Sequence, residues 1–171
     1  MRNTFVLTLV ATLSLVAVTP ARAEEEGAKT PAAHGQVISA NPVLLLARWF
    51  NADYERRISS TTTWGVSGSY WPIGVIDYAR ASFLVRYYPQ RAALTGFSLG
   101  GQSGVYRLGD AHGHEVVYGA GLDVGYAWLL GSKRNIGVSL GFGLTRVFGG
   151  DLDGPSFVIP NARLVNVGIA F

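Results

Sequence analysis

Three histidines, eleven carboxylates and no cysteine bound the chemistry that this chain of 171 residues can attempt. His112 and His114 sit together in DAHGHE, with Asp110 and Glu115 at its ends. Alternate histidines share a face when the backbone is extended, so the stretch carries metal-ligand residue types. Ser103 lies a short way upstream. A serine, a histidine and Glu115 are the residue types of a nucleophile, base and acid set. GDLDG (Gly150–Gly154) is calcium-loop-like but lacks the later glutamate of an EF-hand. SKR (Ser132–Arg134) is a basic turn, and His34 lies in a polar stretch near the N-terminus. Matches this short are common, and solvated loop residues are their ordinary account. No catalytic residue, metal-ligand set or cofactor is assigned from them.

The elements that must position these side chains are strands. In NIGVSLGFGLTRVF, Ile136, Val138, Leu140, Phe142 and Leu144 share one face, and Gly137, Ser139, Gly141, Gly143 and Thr145 the other. VVYGAGLDVGYAWL repeats the pattern, with Val116, Tyr118, Leu122, Val124, Tyr126 and Trp128 set against Gly119, Gly121, Asp123 and Gly125. Strict alternation means strand, and no segment beyond residue 23 shows a convincing helical period. Eight strands follow: Gln36–Leu45, Ala47–Ile58, Thr61–Trp71, Asp77–Tyr88, Gly96–Tyr106, Val116–Leu129, Asn135–Phe148 and Asn161–Phe171. Pro42 cannot donate to a ladder, so the first strand is expected to bulge or end there. The connectors near Ser59, at Pro89–Ala92 and at Gly131–Arg134 read as tight turns. Those at Trp71–Ile76, Leu108–Glu115 and Gly149–Pro160 read as longer loops. Tight turns on one rim and longer loops on the other are the habit of outer-membrane barrels.

Residues 1–23 read as a secretory signal peptide. Arg2 precedes the 14-residue apolar run Phe5–Val18, and ARA (Ala21–Ala23) is a small-x-small cleavage site. Residues 24–35 read as a flexible periplasmic linker, and residues 36–171 as the barrel. Without cysteine, neither a disulfide framework nor a lipid anchor on a mature N-terminal cysteine is available. Loss of Arg2 and Arg22 with the leader leaves twelve basic against eleven acidic residues. With no basic run left, nucleic acid is not an expected partner. The 22 glycines, 20 aromatics and only 15% charged residues suit a surface that faces lipid better than one that faces water.

A soluble barrel is apolar within and polar without. Here the bulky face is continuous, and the opposite face is glycine, serine, threonine, asparagine and a few charges. Small residues suit the restricted interior of an eight-stranded barrel, so the bulky face is expected outside, in lipid. The fold class is therefore all-β, a closed eight-stranded antiparallel transmembrane β-barrel with up-and-down meander topology. The phase places Asn51, Asp53, Glu55, Arg80, Arg86, Gln102 and Asp123 in the lumen, where carboxylates and arginines must pair. A polar plug that locks the barrel shut is the expectation, and a gated narrow ion path the alternative. Aromatics near strand ends form the expected belt: Tyr87, Trp128 and Phe171 at one rim, Tyr70, Tyr106, Tyr118 and Phe148 at the other.

The order NP…WFNADYER, GAGLDVGYAWLLGSKRNIGVSLGFGL and NARLVNVGIAF resembles small bacterial outer-membrane barrels grouped as a domain of unknown function, over roughly Gln36 to Phe171. The resemblance implies an OmpA-like eight-stranded transmembrane barrel in a Gram-negative cell outer membrane. Its role would be structural or surface-interactive, with a narrow porin-like channel as the alternative. Barrels of this size include lipid A deacylases and acyltransferases, a further alternative for which no motif matches here. Implied partners are outer-membrane lipids, lipopolysaccharide and, during biogenesis, the barrel assembly machinery. A terminal aromatic on an alternating strand resembles the signal read by that machinery, which gives Phe171, with Ile169 and Val167, a recognition role.

Overall fold

The glycine-alternating segments pair into one continuous sheet. A computed structural model of the chain describes residues 34–73, 76–110, 113–149 and 157–171. The expected signal peptide, the linker up to residue 33, His112 and the GDLDG loop lie outside the described residues. The elements are β1 (Gln36–Ala40), α1 (Pro42–Leu46), β2 (Phe50–Arg57), β3 (Thr62–Ile73), β4 (Ile76–Tyr87), β5 (Gly96–Asp110), β6 (Gly113–Leu130), β7 (Ile136–Phe148) and β8 (Phe157–Ala170). The eight strands follow one another in chain order, each antiparallel to the next, and β8 returns to β1 to close the barrel.

Closure is local to one end. β1 pairs with β8 from Val37↔Ala170 to Ala40↔Val167, and the Phe171 carbonyl accepts from the Gly35 and Gln36 amides at 3.1 and 3.0 Å. Gly35, read as linker, is thus already tied into the wall.

The first strand was expected to reach Leu45 and the second to begin at Ala47. The chain instead turns into α1. Asn41 caps the helix, its side chain accepting from the Leu44 amide at 2.9 Å, and Pro42 opens the first turn. An Asn cap followed by proline at the first helical position is a helix start, and it ends β1. A helix of five residues is too short to show a period.

The connector expectations need correction too. β3 and β4 are in register to Ile73↔Ile76, and β5 and β6 to Asp110↔Gly113, so the strands run into both segments read as long loops and leave only two residues outside them in each. On the opposite rim the β4–β5 connector, read as a tight turn, runs from Tyr88 to Thr95. It folds inward. The Tyr88 and Ala93 amides donate to Thr61 and Ser60 carbonyls at 2.7 and 2.9 Å, and Tyr88, Ala93 and Leu94 are buried. Long-and-short alternation of loops therefore does not describe this barrel. The Gly131–Arg134 turn is tight as expected, with Gly131 at φ 84° and the Arg134 amide donating to the Gly131 carbonyl at 3.0 Å.

β8 carries one extra residue. Ser139 pairs with Asn166 and Gly141 with Arg163, so Leu164 and Val165 together oppose Leu140 alone. Both are exposed. A bulge of this kind flips the phase of the strand. Val165, Val167 and Ile169 point out, and beyond the bulge Asn161 and Arg163 point in.

Outward positions along the wall are large and apolar, among them Val66, Phe83, Leu99, Leu122, Phe142 and Leu144. The belt residues Tyr70, Tyr87, Tyr118, Trp128, Phe148 and Phe171 are all exposed. Tyr106 is the exception among the expected belt residues. It is fully buried inside, clustered with Val117 and Val147, with Tyr78, Leu108 and Ile159 against it. It shares parity with Gln102 and Gly104 on β5, which is why it points in.

Candidate functional site

The interior is built in layers. Nearest the termini, Tyr88, Leu94 and Leu129 fill the lumen. Leu94 holds φ 72°, a left-handed conformation uncommon for a branched residue, so the surrounding contacts must fix it there.

Above them lies an ionic layer. Arg86 on β4 pairs with Glu55 on β2 and with Asp123 on β6, its Nε 3.2 Å from Asp123 Oδ2. Arg163 on β8 reaches the same Asp123 oxygen at 3.4 Å. Glu55 Oε1 also accepts from Thr63 Oγ1 at 2.5 Å and Tyr88 Oη at 2.7 Å. These groups are almost wholly removed from solvent, where an unpaired charge is costly, so the ring of partners holds four strands in one arrangement. Glycines make the room. A Cβ on Gly141 would stand 2.6 Å from Arg163 Nη2 and 2.8 Å from the Val124 carbonyl.

The next layer is mostly neutral, with Arg80 and Asp53 as its charged groups. Arg80 donates to Ser67 Oγ at 3.0 Å and to Asn161. Asn161 and Gln102 both donate to Thr145 Oγ1, at 2.5 and 2.7 Å. Asp53 accepts from Asn166. Cavities of only about 50 and 30 Å³ flank the ionic layer, room for about one or two waters each.

All seven residues expected in the lumen face it. Glu55, Arg86 and Asp123 form one bonded cluster, Arg80 and Gln102 join a second through Asn161 and Thr145, and Asp53 stands on Asn166. Asn51 lines the space above, its Oδ1 buried with no partner among the described residues. Thr145 lies inside, as its place on the small and polar face of β7 implied, whereas Arg163, Tyr88 and Asn161 are interior residues that sequence reasoning missed. Arg163 brings the lumen to three arginines against three carboxylates.

The upper part of the lumen is different again. A cavity of about 500 Å³ lies over Arg80, bounded by Trp49, Trp71, Tyr78, Leu108 and Ile159, with α1 and β8 at its side. Trp49 enters the lumen just after α1. Its ring stacks on Trp71 at 4.5 Å, meets Tyr78 edge-on at 6.0 Å, and its Nε1 donates to Ser69 Oγ at 2.5 Å.

Of the histidine-based expectations, His112 and the side chains of Asp110 and His114 lie outside the described residues. Ser103 is an exposed residue opposite Ala120, five register positions from Glu115, or roughly 17 Å along the ladder. It therefore does not flank the DAHGHE stretch. Among the described residues no group of three or more His, Asp or Glu lies close enough to hold a metal ion.

Comparison with known proteins places the chain without assigning it chemistry. No curated protein matches it, and no solved structure matches it. The model of one family, described as a protein of unknown function (DUF3575), matches residues 11–149, most of the chain. An eight-stranded barrel with a charge-paired interior is thus the form taken by this sequence, which belongs to the DUF3575 family of proteins of unknown function.

Proposed function

We propose that this chain is an integral outer-membrane β-barrel protein with a structural or surface-interaction role, its lumen plugged by the polar and charged network. The exterior carries the reading. Between two rings of exposed aromatics the wall presents Val66, Phe83, Leu99, Leu122, Phe142 and Leu144 to the surroundings, while the ion pairs lie inside. A soluble monomer does not expose so large a continuous apolar surface.

The dimensions agree with a bilayer. Tyr118 and Trp128 lie ten residues apart on β6, roughly 33 Å along the strand, which a tilt near 40° reduces to about 25 Å, the height of an outer-membrane apolar band. Arg146 lies 5.5 Å from the Phe148 ring centre, near the upper aromatic ring, where a long cation can reach the interface. A closed barrel also satisfies the requirement that backbone groups in lipid pair within the protein. On this topology both termini and the Gly131–Arg134 turn face the periplasm. Partners are outer-membrane lipids and lipopolysaccharide, with the barrel assembly machinery reading Val167, Ile169 and Phe171 during biogenesis.

The layered interior favours a plug over a porin-like channel, since the ionic layer is backed by Tyr88 and Leu94 below and faces only small cavities. Against a lipid A deacylase stands the separation of Ser103 from Glu115 along the β5–β6 ladder. Heat-modifiable gel migration together with extraction tests the proposal. The expected result is a compact species that shifts on boiling and partitions with detergent. An unshifted, freely water-soluble protein would overturn it.

A further inference from the structure

We propose that the upper cavity binds a long-chain fatty acid taken sideways from the membrane, its carboxylate on Arg80 and its chain among Trp49, Trp71 and Tyr78. The lateral route rests on the membrane reading given above; the site itself rests on the cavity.

The wall is incomplete where the cavity lies. β1 ends at Ala40, opposite Val167, so among the described residues β8 from Phe157 to Asn166 has no strand on that side. Edges left unpaired in lipid are not tolerated unless something covers them. α1 lies against β8 and β2 at this break. Outside it, a groove of about 640 Å³ runs over Pro42, Leu45, Phe50, Tyr70 and Val167. Asn51 and Ser69 line both this groove and the inner cavity of about 500 Å³. Lipid-facing surface and lumen therefore meet at these two residues.

The cavity is apolar above and polar at its floor. Arg80, Trp71 and Asn51 all line it, and each carries one buried polar atom without a hydrogen-bond partner among the described residues. A cationic side chain at the floor of a largely apolar cavity calls for a partner of opposite charge. Arg86 and Arg163 hold carboxylates, whereas Arg80 is bonded to neutral Ser67 and Asn161 and has no ion pair among the described residues. The vacant partner is thus an anion with at least two acceptor lone pairs, which a carboxylate supplies. The volume suits a small-molecule site of roughly 300–1,000 Å³ and one acyl chain, whereas a two-chain phospholipid overfills it.

Quenching of tryptophan by dibromostearic acid tests this. Trp64 and Trp128 lie on the outer wall, so replacing both by Phe leaves Trp49 and Trp71 as reporters inside. The full chain, reconstituted in phosphatidylcholine vesicles, is titrated with the acid and with its methyl ester. The expected result is saturable quenching by the acid, weakened at least tenfold by Arg80→Ala and by Asn51→Asp, and absent with the ester. Folding of each variant is read from heat-modifiable migration, and Arg80→Lys should retain part of the affinity. Quenching that rises without saturation, or that is equal for acid, ester and variants, reports membrane partitioning alone and overturns the site. A protein that stays in the aqueous phase contradicts the membrane reading only, and the same titration in buffer then decides the cavity.

Discussion

Trp49 lies flat against Trp71, ring centres 4.5 Å apart and planes within 9°, although one residue follows a helix and the other lies near the end of β3, on the far side of β2. The stack pins the chain just after α1 to the barrel interior. Aromatic pairs contribute about 0.5–1.5 kcal/mol beyond the area they bury. Trp49→Ala should therefore free α1, and limited proteolysis should cut the variant between Leu44 and Phe50 while leaving the wild type whole. Equal resistance in both would show that α1 is held by other contacts.

Arg86 is the hub of the ionic layer, with a carboxylate on either side. Removing it leaves Glu55 without its paired cation and Asp123 with Arg163 alone. Arg86→Met should lower unfolding stability by about 3–5 kcal/mol. Neutralising a partner as well, in Arg86→Met with Glu55→Gln, should recover part of the loss. Urea titration of the reconstituted barrel by circular dichroism measures both, and a double variant no better than the single would mean that the pair is not coupled.

The same layer closes the lumen in series with Tyr88 and Leu94. In planar bilayers the wild type should be electrically silent. Arg80→Ala with Arg86→Ala should stay silent as well, since the apolar layer below is untouched. Discrete conductance steps in the wild type would replace the plug with a channel, and steps only in the variant would make the arginines the gate.

The interior was legible in the sequence wherever alternation ran unbroken. Parity along β2, β4, β5 and β6 put Asn51, Asp53, Glu55, Arg80, Arg86, Gln102 and Asp123 on the face where they lie. It failed for Arg163, because the bulge at Leu164–Val165 shifts the phase by one and carries Arg163 inward. The adjacent apolar pair in RLVNV is the trace that such a shift leaves. Tyr106 was readable by parity, but an aromatic near a strand end was taken for belt. α1 was hidden by its length, although Asn41 followed by Pro42 is a helix start. The extended tips of β5 and β6 were hidden for another reason. Beyond the apolar band the outward positions no longer need to be hydrophobic, so the period fades while the ladder continues to Asp110↔Gly113.

Glycine at position 141 is a matter of space. Gly141→Val would drive a branched side chain into the Arg163 guanidinium and the Val124 carbonyl. The ionic layer would have to part, at a cost of about 1–3 kcal/mol or more. Thermal unfolding of the reconstituted variant measures this, and a wild-type midpoint would show that Arg163 has another place to go.

Phe171 follows β8 directly, its carbonyl held by the Gly35 and Gln36 amides at the start of β1. Deleting it should reduce the folded protein recovered from outer membranes several-fold, whereas Phe171→Tyr should assemble normally if a terminal aromatic is what the assembly machinery reads. Normal yield of the deletion would remove that role.

The sheet is held together very unequally around its circumference. β5 and β6 share fifteen rungs, from Gly96↔Ala127 to Asp110↔Gly113, while β1 and β8 share four. A cylinder parts where its rungs are fewest, so this barrel has a built-in fastener. Its lifetime is set by the short join of β1 to β8, and the long hairpins opposite serve as a stiff spine against which that join can open and shut without the rest of the wall coming undone.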